Sequence, residues 1–256
     1  FGNIQNNGVE FLYDDNSDPL DYHSREANRS DLSGFSYNLG ITFKPMLTDV
    51  IQLHSAFTYS PDYNLNSENS RTFSSIVINS NSGEEYPINE INVDLESLGL
   101  KETNLSMPSK TSIGLGIGKI KKWFIGTEYT FVNTSVFKSD LINIDNSSYE
   151  DGSTISFGGY FIPEFSSFNN LLKRIVYRSG IYFEKTGLII NDQSISEVGM
   201  TFGVGIPVGN MFSNLNLALE VGKRGTTDAN LVEEKFANLK MSLSLNDRWF
   251  VKRKYN

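Results

Sequence analysis

EVGMTFGVGIPVG, residues 197–209, alternates strictly: Val198, Met200, Phe202, Val204, Ile206 and Val208 share one face, while Gly199, Thr201, Gly203, Gly205 and Pro207 share the other. SNLNLALEVG, residues 213–222, repeats the pattern, with Leu215, Leu217, Leu219 and Val221 against Asn216, Ala218, Glu220 and Gly222. A period of two is the signature of a β-strand with chemically different faces. Outward from this hairpin the same alternation recurs in GFSYNLGITFK (residues 34–44), with Phe35, Tyr37, Leu39, Ile41 and Phe43 on one side. It continues through 51–59, 113–117, 123–131, 155–161, 175–183 and 239–245. These segments approach the 9–11 residues that a tilted strand needs to cross a bilayer, and about ten crossings are expected.

The connections alternate in length. Short joins are expected at 45–49, 119–122, 163–172 and 209–212, and longer polar loops at 13–31, 62–106, 138–150, 188–194 and 225–234. Short turns on one side and long loops on the other characterise transmembrane barrels. The 62–106 segment is long enough for a hairpin of its own, Thr72–Ile78 against Tyr86–Val93, expected outside the membrane. Alternation alone does not say which face is wet. Two features assign the apolar face to lipid. The opposite face is rich in glycine (Gly114, Gly116, Gly118, Gly199, Gly203, Gly205) and poor in the lysine and glutamate of a solvated sheet, which implies curvature or close packing against the wall. Aromatics gather near expected strand ends, at Phe43, Tyr59, Trp123, Tyr177, Phe183 and Trp249, where an interfacial belt would stand.

Composition excludes several classes. The 256 residues carry a net charge of −8, which disfavours nucleic-acid partners. Cysteine is absent, so no disulfide or thiolate metal site exists. No apolar run approaches the ~18 residues of a membrane helix. With no Pro/Gly/Ser-rich linker, one domain over residues 1–256 is expected. GLGIGK (114–119) and GVGIPVG (203–209) resemble phosphate loops, but their glycines alternate within strands instead of opening a helix. Asp14, Asn16, Asp18 and Asp21 begin like a calcium loop, yet Pro19 and Arg25 stand where glycine and glutamate are required, so a solvated acidic loop is the expected reading. The histidines are His23 and His54; His54 lies on the polar face with no nucleophile fixed beside it, and neither enzyme nor cofactor is expected. Glu128, Arg178, Glu184, Glu220 and Lys240 are ionisable residues on that face, where charges need partners. A bracing salt-bridge network is one reading for them. Contact of Arg178 or Lys240 with a ligand carboxylate is the other.

Four stretches, MPSKTSIGLGIGKIKKWFIGTEYTFVNTSVF (107–137), YRSGIYFEKTGLIINDQSISEVGMTFGVGIPVG (177–209), LNLALEVGKRGTT (215–227) and DRWFVKRKYN (247–256), make the chain resemble the FadL/TodX superfamily of Gram-negative outer-membrane transport proteins. The resemblance implies an antiparallel up-and-down transmembrane β-barrel, 14-stranded in the full family, plugged by an N-terminal hatch and carrying hydrophobic compounds such as long-chain fatty acids. It also implies that this chain lacks the hatch and about four strands, with FGNIQ as the outer end of the fifth. LKMSLSLNDRWF resembles the terminal strand signal read by barrel-assembly machinery, although a basic tail follows it. Two functions are therefore expected in the outer membrane: uptake of a hydrophobic small molecule, or a structural role as one subunit of a secretion or assembly complex. Lipid, a hydrophobic ligand and other complex subunits are the expected partners.

Overall fold

The computed structural model describes residues 1–14, 20–79, 82–139, 146–208 and 213–244. Among them the chain forms β1 (Gly2–Glu10), β2 (His23–Gly34), β3 (Leu39–Phe43), β4 (Gln52–Ser60), β5 (Tyr63–Ile78), β6 (Glu85–Asn92), β7 (Glu102–Met107) and β8 (Lys110–Lys119). It continues with β9 (Trp123–Val132), β10 (Lys138–Ser139), β11 (Ser147–Tyr149), β12 (Gly152–Phe161), the one-turn helix α1 (Leu171–Arg174), β13 (Val176–Ile190), β14 (Gln193–Val208), β15 (Ser213–Arg224) and β16 (Glu234–Ser244). Every strand pairing is antiparallel. The fold is all-β, as the alternation predicted.

The residues divide into two compact units. One is a six-stranded sheet of order β1-β2-β5-β7-β10, with β6 paired to β5. The hairpin expected at 72–78 against 86–93 is present here as β5–β6, with Thr72 opposite Asn92 and Ile78 opposite Glu85. From His23 onward the long loop expected over 13–31 is instead strand: β2 pairs along its length with both β1 and β5. Its sequence, HSREANRSDLSG, has no apolar alternation; backbone pairing to two neighbours and side-chain ties hold it. Arg71 Nε donates to Asn28 Oδ1 at 2.6 Å and pairs with Glu26 at 3.2 Å, and Arg25 pairs with Glu85 at 3.2 Å. FGNIQ enters β1 of this sheet.

The second unit is a ten-stranded up-and-down wall of order β16-β15-β14-β13-β12-β9-β8-β4-β3, with β11 paired to β13. Strand β3 is shorter than GFSYNLGITFK suggested, beginning only at Leu39. The loop expected at 188–194 is a two-residue turn. Asn191 (φ 49°) and Asp192 (φ 62°) both lie in the left-handed region, as a type I′ hairpin turn requires, and β13 and β14 run to 15 and 16 residues. A register shift between Lys185 and Ile189, at Gly187 (φ 79°), breaks the alternation there. Phe183 consequently sits mid-strand and not at a strand end. Because a non-glycine residue in the left-handed region costs about 1 kcal/mol, Asp192→Gly should raise stability by up to ~1 kcal/mol in a denaturant titration, and the β-branched Asp192→Val should lower it by at least as much.

The cross-strand register makes the apolar face continuous. Ile41, Phe57, Ile113, Tyr129, Ile155, Phe183 and Val198 form one row across seven strands. Side chains along this face are largely uncovered: Ile41 is 69%, Ile113 50%, Phe202 48%, Leu219 43% and Leu239 78% exposed. Only Ile76, Leu95, Ile162, Ile175 and Ile195 are buried apolar residues among those described. A water-soluble domain of this length would enclose a dry core; here the bulky residues point outward from the wall instead. From Val198 to Val208 the apolar side of β14 extends about 34 Å along the strand at ~3.4 Å per residue. A tilt of about 40° reduces that to roughly 26 Å, matching the apolar band of a transmembrane barrel.

Candidate functional site: the polar face of the wall

Opposite the apolar band, register builds rows of small and ionisable residues. One reads His54, Gly116, Gly126, Gly158, Gly180, Thr201, Glu220 and Asn238, placing glycine on four adjacent strands. The next reads Gln52, Gly118, Phe124, Tyr160, Arg178, Gly203, Ala218 and Lys240. Aromatic rings from neighbouring positions lie across some of the glycines. A Cβ on Gly116 would meet the Phe124 ring at 2.5 Å, and one on Gly199 would meet the Tyr182 ring at 2.4 Å. Part of the close packing that the glycines implied is therefore supplied by the wall itself. Phe124 in turn stacks on Tyr160 (5.9 Å, 21°) and meets His54 edge-on (5.0 Å). Between these groups a trench of about 580 Å³ is bordered by His54, Phe124, Glu128, Ser156, Tyr182 and Thr201.

All six residues singled out from sequence face this side of the wall, but the structure joins only two of them directly. Lys240 Nζ donates to Glu220 Oε2 at 2.8 Å. Glu128 accepts from Thr130 Oγ1 at 3.4 Å, and Thr130 shares a 2.7 Å hydrogen bond with Ser112. Glu184 stands opposite Glu197 in the β13–β14 register. Arg178 lies three strand spacings from Lys240 in the same row, about 14 Å, and its guanidinium donates to Asn216 Oδ1 at 2.9 Å. A smaller hollow of about 430 Å³ is lined by Gln52, His54, Tyr160 and Arg178.

The organising group was not among those six. Tyr182 Oη lies 2.6 Å from Glu197 Oε1 and 3.1 Å from Glu220 Oε1, so one phenol bridges two carboxylates. The outer oxygens are held by Arg224 on Glu197 and by Lys240 and Asn238 on Glu220. Glu197 is buried at 8% exposure, and a buried carboxylate persists only when paired and hydrogen-bonded. Tyr182 and Glu197 already lie at polar-face positions within 175–183 and 197–209; nothing in sequence announces the bridge. The arrangement braces β13, β14, β15 and β16 to one another.

The described residues contain no group of His, Cys, Asp or Glu suited to a metal ion, and Asn16 and Asp18 of the calcium-like stretch lie outside them. Trp249 and the tail after Phe250 also lie outside the described residues. No helix is long and apolar enough to cross a membrane, which leaves crossing by strands untouched.

Comparison with known proteins gives one family: the BamG family model matches residues 1–256. No curated protein matches. Among solved structures the chain is similar to the CymD monoaromatic hydrocarbon channel, at 14% identity and a TM-score of 0.42, over 79% of this chain and 48% of that one. The chain thus spans about half the length of that channel.

Proposed function

The chain belongs to the BamG family, and from that premise we propose that it is an outer-membrane β-barrel protein acting as a non-catalytic subunit of an outer-membrane assembly complex. The family match along the whole chain carries the proposal, and we read the family's Bam designation as pointing to an assembly-complex role. The wall is consistent with it in two ways. Its uncovered Ile, Leu and Phe face needs lipid, and on the polar face Lys240 and Arg224 are already neutralised by Glu220 and Glu197 instead of being presented to a ligand. Sequence reading alone placed uptake of a hydrophobic compound ahead of a complex subunit; the family match is our reason for placing the subunit first. The test is purification of the tagged protein from outer membranes in mild detergent. Recovery in a stable, stoichiometric complex with other outer-membrane subunits is expected, together with a fall in outer-membrane protein levels on depletion. Recovery as a lone barrel, with outer-membrane protein levels unchanged, would contradict the proposal.

Arg178 favours the second reading, uptake of a hydrophobic compound. Among the described residues its hydrogen-bonded partner is the neutral Asn216, and it borders a hollow that also exposes His54 and Tyr160. A guanidinium without a carboxylate partner beside apolar rings suits an apolar ligand with a carboxylate head, such as a long-chain fatty acid. Unchanged import of fatty acids in a deletion strain would dismiss this reading without touching the first.

A further inference from the structure

The apolar face of the ten-stranded wall is not level. Gly159 of β12 and Ser179 of β13 stand opposite each other in register, with Phe157 and Ile181 two residues away on one side and Phe161 and Tyr177 on the other. Ile125 and Phe202 continue the same row to left and right. Where the row drops from Phe and Ile to Gly and Ser, a groove of about 980 Å³ opens, floored by backbone and walled by apolar side chains. The floor is fixed by the fold, because a Cβ on Gly159 would lie 2.2 Å from the Phe124 carbonyl oxygen.

At one end the groove meets an aromatic row of Trp123, Phe161 and Tyr177, in register across β9, β12 and β13. Lys119 stands opposite Trp123 on the same face. Immediately beyond lies the tight Lys119–Lys122 turn, closed by a 3.0 Å hydrogen bond from Lys122 N to Lys119 O. Lys122 Nζ donates to the Pro163 carbonyl at 2.5 Å and lies 5.6 Å from the Phe161 ring centroid; Lys121 Nζ lies 4.7 Å from that of Phe165. Lys173 is neutralised by Glu164 at 3.0 Å. Lys119 and Lys121 are exposed, and no carboxylate pairs with either among the described residues. An apolar slot therefore runs into an aromatic belt and ends at two exposed ammonium groups that no described carboxylate neutralises, with Lys122 held back on the Pro163 carbonyl.

We propose that this groove is a binding site for one anionic glycerophospholipid, with an acyl chain lying over Gly159 and Ser179 and the phosphate headgroup met by Lys119 and Lys121. The site rests on the membrane reading given above and goes beyond it, since it distinguishes a resident lipid from the general annulus. A methylene chain supplies the contacts that the missing side chains leave unmade. Each lysine near an anionic headgroup contributes about fivefold in affinity. The cationic end lies on the side of the short turns, so the lipid belongs to the leaflet facing them.

Native mass spectrometry of the full chain in mild detergent, offered equal amounts of dioleoylphosphatidylglycerol and dioleoylphosphatidylcholine, tests the site. One phosphatidylglycerol per chain should be retained, preferred about tenfold or more over phosphatidylcholine. Lys119→Gln combined with Lys121→Gln should abolish most of that preference. Ser179→Leu, which fills the slot, should lower retention of both lipids about tenfold. Heat-modifiable migration reports folding, and if Ser179→Leu does not fold, the double lysine variant decides alone. Equal retention of the two lipids, or a preference that survives the double substitution, would overturn the proposal. A chain that inserts into vesicles but shows no preference refutes the lipid site only; a chain that never partitions into membranes refutes the membrane reading and the site with it.

Discussion

Leu219→Arg is expected to cost about 2–4 kcal/mol when the protein folds into lipid vesicles, the depth-dependent penalty for a cation near the middle of a barrel's apolar band. Leu219 pairs with Phe202 on one side and Leu239 on the other, and all three side chains are uncovered. In water, an arginine at a 43% exposed position would be neutral or would improve solubility. The same change one residue away in register, Asn238→Arg on the polar face, brings a cation beside Glu220 and should alter stability by less than about 1 kcal/mol. The contrast between the two variants, read by urea titration of the vesicle-inserted protein, carries more information than either value alone.

Tyr182→Ala is the second large expected effect, about 3–5 kcal/mol, in the range for truncating a packed aromatic. Two separable losses contribute. The ring covers Gly199, which has no side chain of its own to fill that space. The phenol oxygen also bridges Glu197 and Glu220, and its removal leaves buried acceptor oxygens with one donor fewer. Tyr182→Phe keeps the ring and loses the bridge, so it should cost about 1–3 kcal/mol. If Phe and Ala cost the same, ring packing over the glycine contributes nothing and the polar bridge alone matters.

What the sequence made legible follows from its period. Wherever alternation was strict, as in β14 and β15, the strands, their faces and their pairing partners were readable, because a one-residue slip would exchange the faces. The long polar strands of the six-stranded sheet were not readable from alternation. HSREANRSDLSG and GNIQNNGVE carry no apolar face, and they are strands because their neighbours offer backbone partners. The turn at Asn191–Asp192 was concealed by the bulge near Gly187, which interrupts the period just before a hairpin that then resumes it. At the site, parity placed His54, Glu128, Arg178, Glu184, Glu220 and Lys240 on one face. The partners each would find depend on register across strands far apart in sequence, such as Tyr182 with Glu220 over a separation of 38 residues. That is why the bracing role of Tyr182, Glu197 and Arg224 emerged only from the structure.

The chain has no cysteine, so single-cysteine scanning along Val198–Val208 in the vesicle-inserted protein measures the orientation of the wall without a background. Spin labels at positions 198, 200, 202, 204 and 206 should collide readily with lipid-soluble oxygen, while labels at 199, 201, 203 and 205 should not, giving oxygen accessibility a period of two. A flat profile, or oxygen accessibility highest at the glycine positions, would mean that the bulky face does not meet hydrocarbon.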